Sequence, residues 1–208
     1  MKLPKAIAFF QRKSKPGMPA RKTHHTAIVI IPPEAAWPPI QAIRARYDRQ
    51  VRRWMPHINL LYPFRPPEAW PDLLEPIAER IRPLLPFTVR LATIRYFRHP
   101  SGRCTLWLAP EPATALDALQ QALLAVAPEC DDVRRHRGGF TPHLSVGQAP
   151  DAASCVALQR ALQAQWQPLT FEVTHVSLIW RKAPPDDVFR VGWEVGLEGI
   201  RPVTPPAT

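Results

Sequence analysis

Two short stretches of the sequence match each other: Pro56-His57-Ile58-Asn59-Leu60 and Pro142-His143-Leu144-Ser145-Val146. Each reads proline, histidine, apolar, small polar, apolar, and the two histidines lie 86 positions apart. Alternation with a period of two predicts a strand that carries the histidine and the small polar residue on one face. The apolar residues of each motif then face a helix or a core.

The residues around the two motifs repeat as well, which predicts two similar halves. Upstream, strand patterns at 25–31 and 104–109 precede helical patterns at 38–54 and 113–127. Downstream, helical patterns at 71–85 and 152–166 precede strands at 86–89 and 169–173, and a further strand with a Trp follows each, at 104–109 and 188–197. The order of elements is therefore similar in both halves.

The connections between the predicted strands indicate the fold class. Residues 98–102 read Arg-His-Pro-Ser-Gly, which is turn chemistry between two strands, so a hairpin is expected there. Elsewhere strands alternate with helices. This mixture favours an α+β fold with mainly antiparallel sheets over a doubly wound parallel sheet.

The paired motifs carry groups suited to substitution at phosphorus. If an approximate two-fold axis relates the halves, both motif strands meet in one cleft. One histidine can then accept a proton from the attacking water or hydroxyl while the other protonates the leaving oxygen. The Asn59 amide and the Ser145 hydroxyl would donate hydrogen bonds to the nonbridging phosphate oxygens. No metal or other cofactor is required, and the sequence leaves open which histidine is the base.

The paired Pro-His-x-polar motifs resemble those of the two-histidine (2H) phosphoesterase superfamily, the 2'-5' RNA ligase-like proteins, over roughly residues 25–197. The resemblance implies a bilobal, pseudo-two-fold fold with two sheets facing a central cleft and helices outside. It also implies metal-independent action on 2',3'-cyclic phosphate or 2'-5' phosphodiester bonds of RNA or nucleotides, with His57 and His143 catalytic and Ser145 binding phosphate. Asn59 stands where the family usually has Thr or Ser, which is expected to shift the phosphate or weaken turnover.

Three alternatives stay open at this point. Ligase and hydrolase are two directions of closely related chemistry, and the motifs do not separate them. A non-catalytic RNA-end-binding relative of the same fold is favoured by Asn59 alone. A proline-rich interaction protein is disfavoured, because many of the 27 prolines mark element boundaries and form no P-x-x-P array with basic flanks.

Five further residues beside the motifs are candidate substrate contacts. Arg137 lies in the loop that enters the second motif and Arg65 follows the first, so each is either a phosphate ligand or part of a plain basic surface. Tyr62, Phe64 and Phe140 are placed to stack on a base, although an aromatic ring beside a strand more often belongs to the core.

The basic residues are unevenly placed. Of 27, seven lie in the first 22 positions, where there is no acidic residue, and the net charge is +10. We therefore expect a basic, flexible tail over 1–22, a single bilobal domain over 23–200 and a flexible tail over 201–208. The charge favours RNA as a partner over a membrane, with a solvated tail as the alternative. Arginines on the predicted 38–54 helix fall opposite its apolar stripe, which predicts a solvated face, with Arg44 undecided.

The remaining composition indicates a soluble cytoplasmic protein, and a monomer is expected, although the sequence leaves the oligomeric state open. The longest run without charged residues, 138–150, is 13 residues and too short to span a bilayer. The apolar run at 6–10 is too short for a secretory signal. Cys104, Cys130 and Cys155 show neither a C-x-x-C pair nor zinc spacing, so reduced, buried thiols are expected. The other histidines lack the spacing of metal ligands, so no metal is expected.

Overall fold

The computed structural model describes residues 21–135, 138–197 and 199–202. Most of the predicted N-terminal tail, the end of the predicted C-terminal tail and Arg137 lie outside these ranges. None of the described helices is long and apolar enough to cross a membrane. The three cysteines are free and buried, as predicted.

The described residues form two antiparallel sheets and four α-helices, which confirms the predicted α+β class. The elements are β1 (Thr26–Ile30), α1 (Trp37–Tyr47), β2 (Ile58–Leu61), α2 (Leu74–Ile81), β3 (Phe87–Arg98), β4 (Cys104–Glu111), α3 (Ala113–Leu124), β5 (Leu144–Ala149), α4 (Ala152–Gln165), β6 (Leu169–Val173), β7 (His175–Trp180), β8 (Arg190–Gly196) and β9 (Gly199–Pro202). The first sheet has the order β2-β1-β7-β8-β9 and the second β5-β4-β3-β6.

Two of the helices pack against the sheet opposite to the one whose strands they connect. Helix α1 connects two strands of the first sheet but packs against β5 of the second, where α4 also packs. Helix α3 connects two strands of the second sheet but packs against β2 of the first, and α2 packs against α3, β8 and β9. Helices α1 and α3 therefore cross between the two sheets and join them around one core.

The two motif strands lie side by side at the junction of the sheets. Both β2 and β5 are edge strands, and they contact each other. Ile58 and Leu60 on β2 are completely buried, as are Leu144 and Val146 on β5, whereas the alternating polar residues are only half-buried. This pattern confirms the predicted alternation and turns the polar face of both motifs away from the core.

The first predicted helix is shorter than its hydrophobic pattern indicated. It ends at Tyr47 instead of Trp54, and Asp48 has an extended backbone. The Asp48 carboxylate accepts hydrogen bonds from Arg44 Nε and from the backbone N–H of Gln50, both at 2.9 Å. An Asp that bonds the backbone two residues further on favours a turn over a continuing helix. The chain therefore turns back toward β2 and takes Trp54 off the helix.

The sequence analysis missed β7, which pairs with both β1 and β8. Its residues 176–179 are all buried, and β1 beside it is buried along its whole length. A strand covered on both faces shows no alternation of polar and apolar residues, so the periodicity that identified the motif strands is absent there. The 98–102 hairpin is confirmed, with Gly102 at φ +81° in its turn.

Gly147, four positions after His143, permits the close approach of α1 to β5. A Cβ placed on it would lie 2.6 Å from Tyr47 Cβ and 3.2 Å from the Tyr47 carbonyl oxygen. Because the obstructing atoms belong to the backbone and to a Cβ, they cannot move aside as a flexible side-chain end would. The last turn of α1 thus rests directly on the second motif strand.

Replacing Gly147 with Ala should therefore lower the free energy of unfolding by about 1–3 kcal/mol through overpacking. Urea denaturation of the wild type and the variant measures this difference. Gly138→Ala is the matched control, since a Cβ at Gly138 meets no atom within 4 Å. Equal effects of the two substitutions would contradict the close approach.

Candidate active site

Each motif histidine is held by the carbonyl group two residues before it. His57 Nδ1 lies 2.8 Å from the Met55 carbonyl oxygen, and His143 Nδ1 lies 2.9 Å from that of Thr141. A carbonyl oxygen only accepts hydrogen bonds, so Nδ1 carries a proton in both rings. The two halves therefore hold their imidazoles in the same way, with the protonated Nδ1 directed at a backbone carbonyl.

The two imidazoles are close enough to interact electrostatically, and the surroundings of His57 shift its pKa. Burial, the largest cause, lowers the pKa of His57 from 6.5 to about 4. The positive charges of Arg44 and His143 lower it further, whereas the Met55 carbonyl and the Asp48 carboxylate raise it. His57 is thus neutral at pH 7, with a lone pair on Nε2.

Stacked aromatic rings bury one face of the His57 imidazole. The Trp54 indole stacks on the His57 ring with a centroid separation of 4.5 Å and an interplanar angle of 15°. Phe189 stacks on Trp54 in turn, with a separation of 3.7 Å. Both belong to a small apolar cluster with Ala27, Val29 and Ile179 on this face of the first sheet. The cluster keeps water from one side of the imidazole, which disfavours its charged form.

His143 has aromatic neighbours in a different arrangement. Phe97 contacts its ring edge-on at 5.0 Å, and Trp107 does so at 5.9 Å. The Phe97 and Trp107 rings stack on each other at 4.7 Å. The second imidazole therefore meets ring edges, whereas the first lies flat against an indole. The two halves share a backbone arrangement but give their histidines different surroundings.

Asn59 and Ser145 occupy corresponding positions beside the two histidines. Asn59 Nδ2 lies 3.2 Å from His57 Nε2 and donates to the lone pair of the neutral ring. Asn59 Oδ1 is buried and has no hydrogen-bond partner among the described residues. The half-buried Ser145 hydroxyl makes no hydrogen bond with a described side chain or backbone group. Both residues thus keep polar atoms available beside the imidazoles.

A buried ion pair connects the two halves behind the histidines. Arg44 Nε lies 2.9 Å from Asp48 Oδ2, and both side chains are 2–3% exposed. Arg44 also donates to the Trp54 carbonyl at 2.9 Å, while Gln148 on β5 donates to Asp48 Oδ1 at 3.1 Å. The pair therefore links the end of α1, the segment leading to His57, and the second motif strand. Arg44, undecided from the sequence, is a structural residue here.

Two of the arginines predicted on a solvated helix face have a different environment. Arg52 and Arg53 follow the end of α1, and both pair with Asp187, whose side chain is 3% exposed. Asp187 is close in sequence to Phe189, so these pairs attach the Phe189 loop to the segment that carries Trp54. Both arginine side chains are solvated as predicted, at 70% and 36% exposed, but they lie beyond the end of the helix and not on it.

Two of the five candidate substrate contacts, Phe64 and Arg65, are engaged elsewhere in the fold. Phe64 is completely buried in the main core, so its assignment as a base-stacking residue was wrong. Arg65 is engaged by Glu129, with Nε to Oε1 at 2.6 Å and Nη2 to Oε2 at 3.2 Å, and this hydrogen bonding raises its pKa. The Glu129 carboxylate therefore occupies the Arg65 guanidinium, to which a phosphate would otherwise bind.

The two other aromatic candidates are half-buried. Tyr62 makes an edge contact with Trp54 at 5.4 Å, which places it beside the His57 cluster. Its hydroxyl donates to the His24 carbonyl at 3.4 Å. Phe140 packs against the main core and lines a surface groove with Pro142 and residues of α3. For both rings, stacking on a base stays a prediction. Among the described residues no group of three His, Cys, Asp or Glu is placed to hold a metal ion.

Comparison with known proteins identifies the family and the fold. The sequence profile of the 2'-5' RNA ligase superfamily matches residues 32–185. Among solved structures, TT0787 of Thermus thermophilus is 22% identical, with 84% of this chain and 98% of that chain covered and a TM-score of 0.58. E. coli LigT complexed with 3'-AMP is 18% identical, with coverage of 83% and 97% and a TM-score of 0.58. LigT complexed with phosphate is 18% identical, with coverage of 85% and 98% and a TM-score of 0.55.

No curated protein matches the sequence. At these identities the structural likeness shows the fold, and the family match confirms the resemblance seen in the paired motifs. The aromatic residues around the histidines were not singled out from the sequence. Trp54 was placed on a helix, and Phe189 lies far from both motifs in the chain.

The His57 ring should titrate near pH 4, with its neutral form protonated at Nδ1, because burial disfavours the imidazolium. Imidazole nitrogen chemical shifts followed by NMR between pH 3 and 8 measure both properties. Titration near the ordinary value of about 6.5, or a neutral ring protonated at Nε2, would contradict this description of the site.

The same shift predicts a pH dependence of stability. An unfolded chain protonates His57 at a pKa near 6.5 and the folded chain near 4, so the free energy of unfolding should fall as the pH drops through this interval. Urea denaturation at pH 7 and pH 4.5 measures the fall. His57→Gln serves as the control because it lacks this contribution, and its loss between the two pH values should be smaller.

Proposed function

We propose that this chain, which belongs to the 2'-5' RNA ligase superfamily, opens 2',3'-cyclic phosphates or acts on 2'-5' phosphodiester bonds of RNA or nucleotides by two-histidine acid–base catalysis. The observation that carries the proposal is the matched pair of imidazoles. Both rings hold a proton at Nδ1 through a backbone carbonyl, so Nε2 is the atom of each ring that would exchange a proton with the substrate. They lie on adjacent edge strands, one from each half of the chain.

His57 is the general base in this proposal. Its low pKa keeps it neutral at pH 7, and its unprotonated Nε2 can accept a proton from the attacking water or hydroxyl. His143 is then the general acid, whose Nε2–H protonates the oxygen that leaves phosphorus. The P–O bond to the incoming oxygen forms as the bond to the leaving oxygen breaks. Exchange with solvent afterwards restores both protonation states.

Ser145 and Asn59 would hold the nonbridging phosphate oxygens. The Ser145 hydroxyl can donate directly to one of them, where negative charge accumulates. The Asn59 amide has two N–H groups, one of which donates to His57 Nε2. Once His57 takes up a proton, a turn of this amide would let Oδ1 accept from the imidazolium and direct Nδ2 toward the phosphate. The buried, unpartnered Oδ1 supports such an exchange.

A nucleotide substrate is supported by the solved relatives. E. coli LigT, which has this fold, has been crystallised with phosphate and with 3'-AMP. A 3'-phosphate is what remains when the bond from phosphorus to the 2' oxygen of a 2',3'-cyclic phosphate is hydrolysed. RNA as the larger partner, a monomeric state and a cytoplasmic location stay predictions from composition.

Replacing either His57 or His143 with Ala should reduce kcat/KM for a 2',3'-cyclic phosphate by at least about a hundredfold, because the first change removes the general base and the second removes the general acid. Turnover of a short RNA with this terminus, measured in EDTA, tests the proposal. The position of the product phosphate shows which bond breaks.

The control for these variants is His99→Ala, which removes an exposed histidine from the β3–β4 turn. Its activity should match the wild type. Unchanged activity in either motif variant would overturn the assignment. Tight RNA binding by the wild type without turnover of either bond type would instead favour the non-catalytic RNA-end-binding alternative.

Asn59→Asp should reduce kcat/KM by about a hundredfold or more, because the isosteric carboxylate removes the donor and repels the phosphate. Asn59→Ser restores the residue type usual in the family and should retain turnover within about tenfold, since its hydroxyl still donates. Steady-state kinetics of the two variants beside the wild type provides the measurement. An Asn59→Asp variant as active as the wild type would exclude Asn59 from phosphate binding.

A further inference from the structure

Arg95 lies on the same face of the second sheet as the second motif. On adjacent strands, Ser145 of β5 pairs with Trp107 of β4, and Trp107 pairs with Arg95 of β3. Side chains at directly paired positions project from the same face of a sheet. The three residues therefore form one row across the sheet, with Ser145 at one end and Arg95 at the other.

Contacts of the neighbouring residues confirm which face this is. Trp107 and Phe97 both touch the His143 ring, and Phe97 is two positions from Arg95 on β3. Tyr96, between them, packs against the main core on the opposite face. Since side chains alternate along a strand, Arg95 projects from the face that carries His143.

Arg95 has no acidic partner, unlike three other arginines near the site. Arg44 pairs with Asp48, Arg65 with Glu129, and Arg53 with Asp187. Arg95 is exposed and makes no ion pair or hydrogen bond through its side chain with any residue in the described part of the chain. Its guanidinium is therefore available to an external anion, for which its planar fork of N–H donors is well suited.

The row also fixes how far this charge lies from the reacting phosphate. Two strand spacings separate the backbones at Ser145 and Arg95, or roughly 10 Å. The Trp107 side chain stands between the two residues in the row. A phosphate held by Ser145 and the histidines is thus separated from Arg95, and the guanidinium would meet a different phosphate of the same molecule.

We propose that Arg95 binds the phosphodiester next to the reacting phosphate, so that the site takes the end of an oligonucleotide in preference to a single nucleotide. This inference rests on the proposed function and specifies its substrate class. A nucleoside 2',3'-cyclic phosphate has no second phosphate for Arg95, whereas a dinucleotide with the same terminus has one.

Kinetics on these two substrates tests the inference. Arg95→Gln should raise KM for the dinucleotide about tenfold more than KM for the nucleoside cyclic phosphate, as expected for the loss of a charged hydrogen bond. Arg98→Gln is the matched control. It removes the same charge from the same strand, but Arg98 is an odd number of positions from Arg95 and lies over the Tyr96 ring instead. For Arg98→Gln, the ratio of KM for the dinucleotide to KM for the nucleoside cyclic phosphate should equal that of the wild type.

An unchanged KM ratio in Arg95→Gln, or an equal change in Arg98→Gln, would overturn the inference. If the wild type turns over neither substrate, the proposed function is wrong. A measurement of oligonucleotide binding then tests the Arg95 contact independently. A labelled trinucleotide ending in a 3'-phosphate is then titrated at several salt concentrations. Arg95→Gln should weaken its binding about tenfold and reduce the slope of log K against log salt by about 0.7. Equal binding by the variant and the wild type would exclude the phosphate contact.

Discussion

The buried ion pair between Arg44 and Asp48 is the interaction on which the arrangement of the site depends. Removing two charges from water is costly, so such a pair stabilises a fold only when its remaining hydrogen-bonding groups are also satisfied. Here Arg44 reaches the Trp54 carbonyl and Asp48 accepts from Gln148, so the pair is bonded to both halves. It ends α1, directs the chain toward His57 and fixes the second motif strand beside it. Removal of either partner would leave a buried charge in the middle of this network.

The site combines a symmetric backbone with asymmetric surroundings. Edge strands from both halves meet at the junction of the sheets, and both imidazoles are held through Nδ1. Trp54 and Phe189 then cover His57 with stacked rings, whereas His143 meets the edges of Phe97 and Trp107. Two similar motifs therefore acquire different surroundings, and burial lowers the pKa of His57.

The sequence predicted those parts of the molecule whose cause is local. The alternation in each motif depends only on neighbouring residues, and it correctly placed Asn59 and Ser145 beside their histidines. The end of α1 was wrong because a carboxylate at Asp48, bonded within the fold, outweighed a helical pattern that continues to Trp54. Strand β7 was missed because burial on both faces removes alternation. Phe64 was misassigned because a ring beside a motif can face either side, and the Trp54, Phe189 and Arg95 positions depend on contacts between distant segments.

The central claim is that His57 and His143 act on one phosphate, and adenosine 3'-monophosphate is a direct probe of it. NMR signals of both imidazoles are followed while this nucleotide is added to the wild-type protein. If the two rings share one anion, both sets of signals should shift with a single common Kd, and both Nδ1 protons should remain. A response from only one ring at saturation, or from neither, would contradict a shared site.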